Sequence, residues 1–289
     1  MVYLKSRSQE IEVPEATPFA NDKLNRFGLC NILTDVVSFY GQSGCVMGLD
    51  GEWGSGKTTF VRMWRQHLEN NGYKTLYFNA WASDYTEDPL MALVSELSGL
   101  SPEDDMVNKI ATGAARIGLS VFKGVLKKAI GVDCDAIHNA IDETFVLGKE
   151  YLEKYSEQKT TLDELKKNIQ SFVADNAGEY PVIFFVDELD RCNPRYAVAV
   201  LERIKHLFEI PNIIFVLAIN KKELSNAIQG YYGSSKIDSN EYLRRFIDID
   251  YVLPKPKIGA YCNFLFGEYR FEDFFKSEQR LMHFRSNNE

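Results

Sequence analysis

The alternation of apolar runs and amphipathic segments along the chain predicts an α/β fold. Continuous apolar runs at 45–50, 74–81, 181–188 and 212–220 are typical of buried strands, and the segment 241–254 passes from a helix into a fifth strand. Between them lie helical patterns. The first, at 22–40, has an apolar face made of Leu29, Ile32, Leu33, Val36 and Val37. Apolar strands that alternate with helices indicate a mainly parallel sheet covered on both faces, a three-layer sandwich.

Residues 101–178 break this alternation, because they are mostly helical in pattern and contain no clear strand. Within them, the segment 109–132 has a polar stripe at three- and four-residue steps, formed by Lys109, Thr112, Arg116, Ser120, Lys123 and Lys127. Such a helix could lie on an anionic membrane surface, bind a partner helix or nucleic acid, or pack on its own protein. The pattern does not choose between these alternatives.

Composition and charge narrow the class of protein. The formal net charge of −8 argues against a protein whose whole surface binds nucleic acid. The five cysteines are far apart and form no C-x-x-C pair, so we expect reduced thiols, neither disulfides nor zinc ligands. The sequence has no uncharged apolar stretch of the length that spans a bilayer. We therefore expect a cytoplasmic protein, with peripheral contact at the inner membrane face through 109–132 as the alternative.

A glycine-rich segment follows the first strand and precedes a helix, and it fits G-x-x-x-x-G-K-[ST] at every fixed position. In such a loop the glycines let successive backbone N–H groups point at phosphate oxygens, and the helix adds its N-terminal dipole. The lysine supplies a point charge for the β- and γ-phosphates, and the hydroxyl after it suits Mg²⁺. The predicted phosphate-binding residues are Gly51, Glu52, Trp53, Gly54, Ser55, Gly56, Lys57, Thr58 and Thr59.

Two carboxylates follow the most apolar predicted strand, at Asp187 and Glu188. Ligands of open α/β sheets lie at the carboxyl ends of the strands, so both side chains are expected beside the phosphate loop. Asp187 is the candidate Mg²⁺ ligand together with Thr58. Glu188 is the candidate general base that polarises an attacking water.

Other side chains near these motifs have two interpretations each. Trp53 could pack on the domain or cover the nucleotide. Arg191 could pair with Asp187 or Asp190, or reach a phosphate in a neighbouring subunit. Asn220, at the end of the strand 212–220, could position water or cap the next helix. Two further candidates precede the last strand and are either arginine fingers, in cis or in trans, or a solvated basic helix end: Arg244 and Arg245.

Taken together, these segments resemble the KAP family of P-loop NTPases, which is related to the AAA+ and STAND groups of ATPases. The resemblance covers about residues 20–255 except the insert, and lies in DKLNR (22–26), GEWGSGKTTF (51–60), FNAW (78–81), DPL (88–90), FFVDELDRCNP (184–194), VLERIKHLF (200–208), FVLAIN (215–220) and YLRRFID (242–248). It implies the Walker A role for 51–58, the Walker B role for Asp187 and Glu188, and ATP as the nucleotide. Several bacterial members of the family are linked to exclusion of, or defence against, phages.

The predicted organisation is an extended arm at 1–20, a P-loop NTPase domain at 21–254 with a helical insert at about 101–178, and a helical tail or the start of a further region at 255–289. Family members often carry transmembrane helices between the two Walker motifs, whereas this insert is polar in composition. After residue 254 only about 35 residues remain, so the chain is either a minimal ATPase or a fragment of a longer protein.

Three functions are compatible with these motifs. The first is Mg²⁺-dependent ATP hydrolysis that powers or gates a larger assembly, as a homo-oligomer or with a partner protein. The second is a nucleotide-gated interaction module of the STAND kind that hydrolyses little ATP. The third, a P-loop kinase for a small metabolite, fits less well, because paired acids and a strand that ends in asparagine suit hydrolysis better than transfer.

Overall fold

The strands form a single parallel sheet. A computed structural model describes residues 11–86, 88–129, 141–233, 238–255, 258–271 and 273–276, and gives only the backbone at 118–129, 141–155, 157–158, 258, 260 and 268. Over these residues the sheet has five strands in the order β2-β3-β4-β1-β5. The strands are β1 Cys45–Asp50, β2 Thr75–Asn79, β3 Val182–Asp187, β4 Ile213–Ile219 and β5 Ile249–Val252. The predicted α/β sandwich with a parallel sheet is confirmed.

Helices connect successive strands and cover both faces of the sheet. They are α1 Phe27–Tyr40, α2 Lys57–Asn70, α3 Leu90–Ser98, α4 Asp105–Ala129, α5 Ile141–Ala177, α6 Pro194–Phe208, α7 Lys221–Tyr232, α8 Ser239–Leu243 and α9 Ile258–Glu268. Two 3-10 turns follow β2 and β3, at Trp81–Ser83 and Leu189–Arg191. Parallel strands need crossover connections of this kind. The helices also lie where the sequence pattern predicts them.

The central strands β3 and β4 are buried along their whole length because each faces a hydrophobic core on both sides. On one side, Phe184 stacks on Phe215 with 4.9 Å between ring centroids. On the other, Phe185 packs edge-on against Trp64 of α2 at 5.3 Å. Burial on two sides explains why these strands are continuous apolar runs and do not alternate.

The prediction that Ile32 lies on the buried face of α1 is wrong. Ile32 has 58% of its surface exposed, whereas Cys30, Leu33 and Val37 are buried. The indole Nε1 of Trp64 donates a hydrogen bond to Thr34 Oγ1 at 3.0 Å. This contact turns the 30–34–37 side of α1 toward α2, and therefore leaves Ile32 in solvent.

The insert between β2 and β3 contains α4 and α5, which pack against each other; we call this pair the insert hairpin. Ile110, Ala114 and Ile117 of α4 join Phe172 and other residues of α5 in the core cluster on one face of the sheet. Lys109, Thr112 and Arg116 are exposed, as the polar stripe predicts. The rest of that stripe (Ser120, Lys123 and Lys127) lies outside the described side chains. The described part of α4 thus packs on its own protein.

The chain continues beyond the sheet and its connecting helices at both ends of the predicted domain. Residues 11–20 form neither helix nor strand, and Phe19 packs beside the core cluster that contains α1 and α2. After β5 the chain continues into α9. Over the described ranges, none of the helices combines the length and the apolarity needed to cross a membrane.

Candidate nucleotide-binding site

Polar side chains end four neighbouring strands at the carboxyl edge of the sheet: Asn79, Asp187, Asn220 and Asp50. Because β4 lies between β1 and β3, Asn220 is between the phosphate loop and the acidic pair. Asn79 is the register partner of Asp187. Sequence reasoning missed Asn79 and Asp50. Asp50 ends its apolar run, which was a signal that could have found it, whereas Asn79 lies inside the run 74–81.

The phosphate loop, residues 51–58, depends on glycine at three positions. Gly54 and Gly56 have φ angles of +75° and +81°, in the left-handed region that a β-carbon disfavours. A β-carbon on Gly51 would lie 2.9 Å from Ser55 Oγ. The backbone N–H of Gly51 donates to Ile219 O of β4 at 3.0 Å, which fixes where the loop leaves the sheet. These glycines therefore form a narrow backbone cradle in front of α2.

Lys57 is the first residue of α2, and its side chain folds back along the loop. Its Nζ donates to the carbonyl oxygens of Gly51 at 2.5 Å and Glu52 at 3.2 Å. Only 8% of the residue is exposed. Burial lowers the pKa of Lys57, and the nearby Asp190 and Asp187 carboxylates oppose that shift. The ammonium group is thus held at the loop by carbonyl oxygens and two acidic neighbours.

A side-chain hydrogen bond joins Thr58, in the first turn of α2, to the carboxylate of Asp187. Asp187 also accepts from Tyr77 Oη at 3.2 Å and from the Glu188 backbone N–H at 2.8 Å. It is 1% exposed, and burial raises its pKa despite these donors. A buried carboxylate beside a hydroxyl is a pair of hard oxygen donors, so these residues fit a Mg²⁺ ion. Thr59 lies next in the same turn of α2.

Glu188 follows Asp187 with a φ of +61°, and both its carboxylate oxygens have partners. Asn79 Nδ2 donates to Oε2 at 3.1 Å, and Arg191 Nη1 lies 2.9 Å from Oε1. The expectation that Arg191 pairs with Asp187 or Asp190 is therefore wrong: the partner is Glu188, three residues earlier in the same turn. The Arg191 guanidinium also lies 5.6 Å from the centroid of the Trp81 ring.

The exposed part of the loop makes two further contacts. Trp53 donates from Nε1 to Asp190 Oδ2 at 2.5 Å, and 56% of its surface remains exposed. Glu52 lies 3.0 Å from Lys255 Nζ, in an ion pair between two exposed side chains. Trp53 is thus attached to the turn after β3, with its indole open to solvent beside the loop.

Asn220 caps α7, as one of its two interpretations requires. Its Oδ1 accepts from the Glu223 backbone N–H at 3.4 Å, and the residue is 8% exposed. Asp50 assists at the same helix end, where Oδ1 accepts from the Lys221 N–H at 2.8 Å. The cap explains an asparagine here without any role in water positioning, which stays a prediction.

Arg244 and Arg245 are not near the phosphate loop of the same chain. Both are exposed, in the turn after α8, and Arg244 Nη1 lies 2.5 Å from Glu241 Oε1. The chain then reaches Asp248, whose backbone N–H donates to Val46 O at the start of β1. Val46 is five residues, or roughly 16 Å of strand, before the loop. This placement at the opposite edge contradicts a finger in cis. The exposed positions fit a solvated basic helix end, and a finger in trans stays a prediction.

Comparisons with known proteins agree with this geometry. Residues 29–281 match the KAP family P-loop domain. The chain is 19% identical over 245 residues to the phage T7 exclusion protein of Escherichia coli strain K12, an alignment that covers 78% of this chain and 32% of that protein. This chain thus spans about a third of the length of that relative.

Solved structures of the Aeropyrum pernix ORC2 protein are also similar. The form described as ADPNP-ADP complexes has a TM-score of 0.38 at 15% identity, and covers 80% of this chain and 48% of that one. The ADP form has a TM-score of 0.39 at 13% identity, covering 93% and 55%. Since the family match includes the loop, the acidic strand end and most of the chain, this protein belongs to the KAP family of P-loop domains.

Proposed function

We propose that this chain binds ATP with Mg²⁺ at the phosphate loop and hydrolyses it. One observation carries the proposal: the hydrogen bond between Thr58 and Asp187 joins the end of the glycine loop to the end of β3. A hydroxyl at the end of the phosphate loop and a buried carboxylate at the end of the acidic strand are the two protein ligands that Mg²⁺ uses in P-loop NTPases.

The loop and Lys57 would hold the phosphates. Backbone N–H groups of the loop and the first turn of α2 bind the phosphate oxygens, and the helix dipole favours their negative charge. The Lys57 ammonium would exchange its two loop carbonyl oxygens for phosphate oxygens. Thr58 and Asp187 would hold the Mg²⁺, which supplies charge neutralisation between the β- and γ-phosphates.

Glu188 would act as the general base, and its neighbours determine where its carboxylate points. Its carboxylate is held by Asn79 and Arg191, so it must leave at least one of them to accept a proton from water. Asn220 ends the strand between β1 and β3, and its amide is a second group that could orient the water. Arg244 and Arg245 are candidate fingers for a neighbouring subunit, which makes a homo-oligomer part of the proposal.

The biological role rests on the relative. The phage T7 exclusion protein suggests that this domain powers or gates a larger assembly in anti-phage defence. That assembly would include other domains or partners. Peripheral membrane or nucleic-acid contact would use the exposed Lys109 and Arg116 of the insert hairpin.

A second function, a nucleotide-gated interaction module with little hydrolysis, is favoured by one specific contact. Arg191 and Asn79 together occupy both oxygens of Glu188. If this arrangement persists with ATP bound, the base is held away from water, and the chain remains in its ATP state until a partner releases it.

The test is Mg²⁺-dependent phosphate release and ATP binding by the purified chain over a range of protein concentrations. Lys57→Ala and Glu188→Gln are compared with matched changes at exposed positions, Lys74→Ala and Glu209→Gln. We expect Lys57→Ala to lose binding, Glu188→Gln to bind without turnover, and both controls to behave as wild type.

The outcomes separate the two functions. Turnover per chain that rises with protein concentration supports an oligomeric ATPase with fingers in trans. Tight binding with almost no release supports the gated module. Failure of the wild-type chain to bind ATP would reject both.

A further inference from the structure

A buried arginine before α1 contacts the outer side of the phosphate loop. Arg26 is 6% exposed, and its Nη2 donates to Ser55 O at 2.8 Å and to Pro254 O at 3.3 Å. Its Nη1 donates to Gly56 O at 3.3 Å. One guanidinium thus binds two successive carbonyl groups of the loop and one carbonyl after β5. Only arginine presents several donors in a fixed planar fork, so lysine could not replace all three contacts.

These contacts determine where the neighbouring N–H groups point. In a trans peptide the C=O and the following N–H are antiparallel across one plane. The peptide that carries Ser55 O also carries the Gly56 N–H, and the peptide that carries Gly56 O also carries the Lys57 N–H. Arg26 holds Ser55 O on the outer side of the loop, and it holds Gly56 O there together with the Phe60 N–H of α2, which donates to the same oxygen at 3.0 Å. Both N–H groups then point to the inner side, where the phosphates would bind.

The backbone of Arg26 is itself fixed. Asp22 accepts hydrogen bonds from the backbone N–H groups of Leu24 and Arg26, and Arg26 O accepts from the Cys30 N–H at 3.0 Å in the first turn of α1. Burial lowers the pKa of Arg26, while the Asp22 charge opposes that shift. Burial of a charged guanidinium group is unfavourable because the group loses its contacts with water. The three hydrogen bonds to carbonyl oxygens compensate for that loss.

We propose that Arg26 is a positioning residue of the nucleotide site: it orients the Gly56 and Lys57 amides toward the phosphates and ties the loop to the segment that follows β5. This inference rests on the proposed nucleotide binding, because it assigns those amides a phosphate ligand. Arg26 itself lies behind the loop and touches carbonyl oxygens of the protein.

The test uses Arg26→Gln and Arg26→Lys beside a matched control, Arg203→Gln. Arg203 of α6 is also partly buried and bound within the protein, through a bidentate pair with Asp88 at 3.1 and 2.6 Å. ATP affinity in Mg²⁺ is measured for each variant, together with the thermal midpoint without nucleotide. We expect Arg26→Gln to weaken ATP binding by roughly 10- to 100-fold and Arg26→Lys to have an intermediate loss. Arg203→Gln should lower the midpoint but leave the affinity within about twofold of wild type.

A second measurement separates this inference from the proposed function. Amide hydrogen exchange at Gly56 and Lys57 is recorded in the nucleotide-free protein. We expect faster exchange in Arg26→Gln than in Arg203→Gln, since only the former frees the loop peptides. If the wild type binds no ATP, the proposed function is rejected. The amide hydrogen exchange at Gly56 and Lys57 then tests by itself whether Arg26 orients the loop. If Arg26→Gln does not fold, Arg26→Lys decides. Unchanged exchange, or an affinity loss no larger than that of the control, overturns the inference.

Discussion

Replacement of Arg191 by glutamine is expected to raise ATP turnover. The Arg191 guanidinium lies 2.9 Å from Glu188 Oε1, with side-chain exposures of 44% and 15%. If Glu188 is the base and it leaves Arg191 rather than Asn79, this ion pair must open in every cycle before the carboxylate can reach water. Removal of the cation therefore removes a cost that precedes the chemical step.

The size of the effect follows from the exposure of the pair. Solvent-exposed ion pairs contribute about 0.2–1 kcal/mol, and the half-exposed Arg191 belongs near the upper end of that range. Its position over the Trp81 ring adds about 0.5 kcal/mol. A total of about 1.5 kcal/mol corresponds to roughly a tenfold increase in kcat. An arginine finger would instead contribute a factor of roughly 10³–10⁵.

The assay is steady-state phosphate release at saturating ATP, with ATP affinity measured separately. Arg195→Gln is the matched control, because Arg195 is exposed two residues into the next helix and close in sequence. In a Glu188→Gln background the Arg191 change should have no effect on turnover, since no carboxylate remains to be released. A fall in kcat of tenfold or more in Arg191→Gln would refute the reasoning and give Arg191 a direct role with the phosphates.

Three further predictions concern single residues. Asp187→Asn should raise the thermal midpoint of the nucleotide-free protein at pH 7 by a few degrees and abolish the gain from Mg²⁺ and ATP; since burial raises the pKa of Asp187, its charge opposes folding at pH values above that pKa, and the difference should shrink as the pH falls toward the range in which the wild-type carboxyl is protonated. Gly44→Ala should lower the free energy of unfolding, measured in urea, by about 2 kcal/mol or more with unchanged ATP affinity, because φ is +71° and a β-carbon would lie 2.2 Å from Ile210 O. Trp53→Phe in a Trp81→Phe background should remove the change in tryptophan fluorescence on ATP binding, since Trp53 and Trp81 are exposed near the site while Trp64 is fully buried; persistence of that change would show that the buried tryptophan reports the nucleotide.

The loop and the acidic strand end could be predicted because their chemistry is carried by consecutive residues. Gly54, Gly56 and Lys57 form one turn, and Glu188 follows Asp187 directly. The alternation of apolar runs with amphipathic segments was enough to predict the parallel sheet. These features depend on local backbone geometry and on burial at strand or helix period.

Contacts between distant segments could not be predicted in the same way. Asn79 reaches Glu188 across 109 positions because β2 and β3 are neighbours, and no pattern within either segment states that order. Arg26 reaches Ser55 across 29 positions through the placement of α1. The exposure of Ile32 likewise depends on how α1 is rotated against Trp64. In each case tertiary packing determines which residues are in contact or exposed, whereas the sequence alone is compatible with several partners.

The insert hairpin lies in the chain between β2 and β3, and its second helix ends at Ala177, a short turn before β3 begins at Val182. At 37 residues α5 is long enough to extend about 55 Å, yet its described core contacts are confined to the part from Leu162 to Ala177. The base of the hairpin, from Leu162 to Ala177 in α5, therefore packs on one face of the sheet. Substitutions in this base would disturb the apolar core, whereas substitutions at exposed positions of α4, such as Lys109 and Arg116, should leave the strand order, the loop and the acidic pair unchanged. The insert thus connects an exposed polar surface to the same core that supports the proposed nucleotide site.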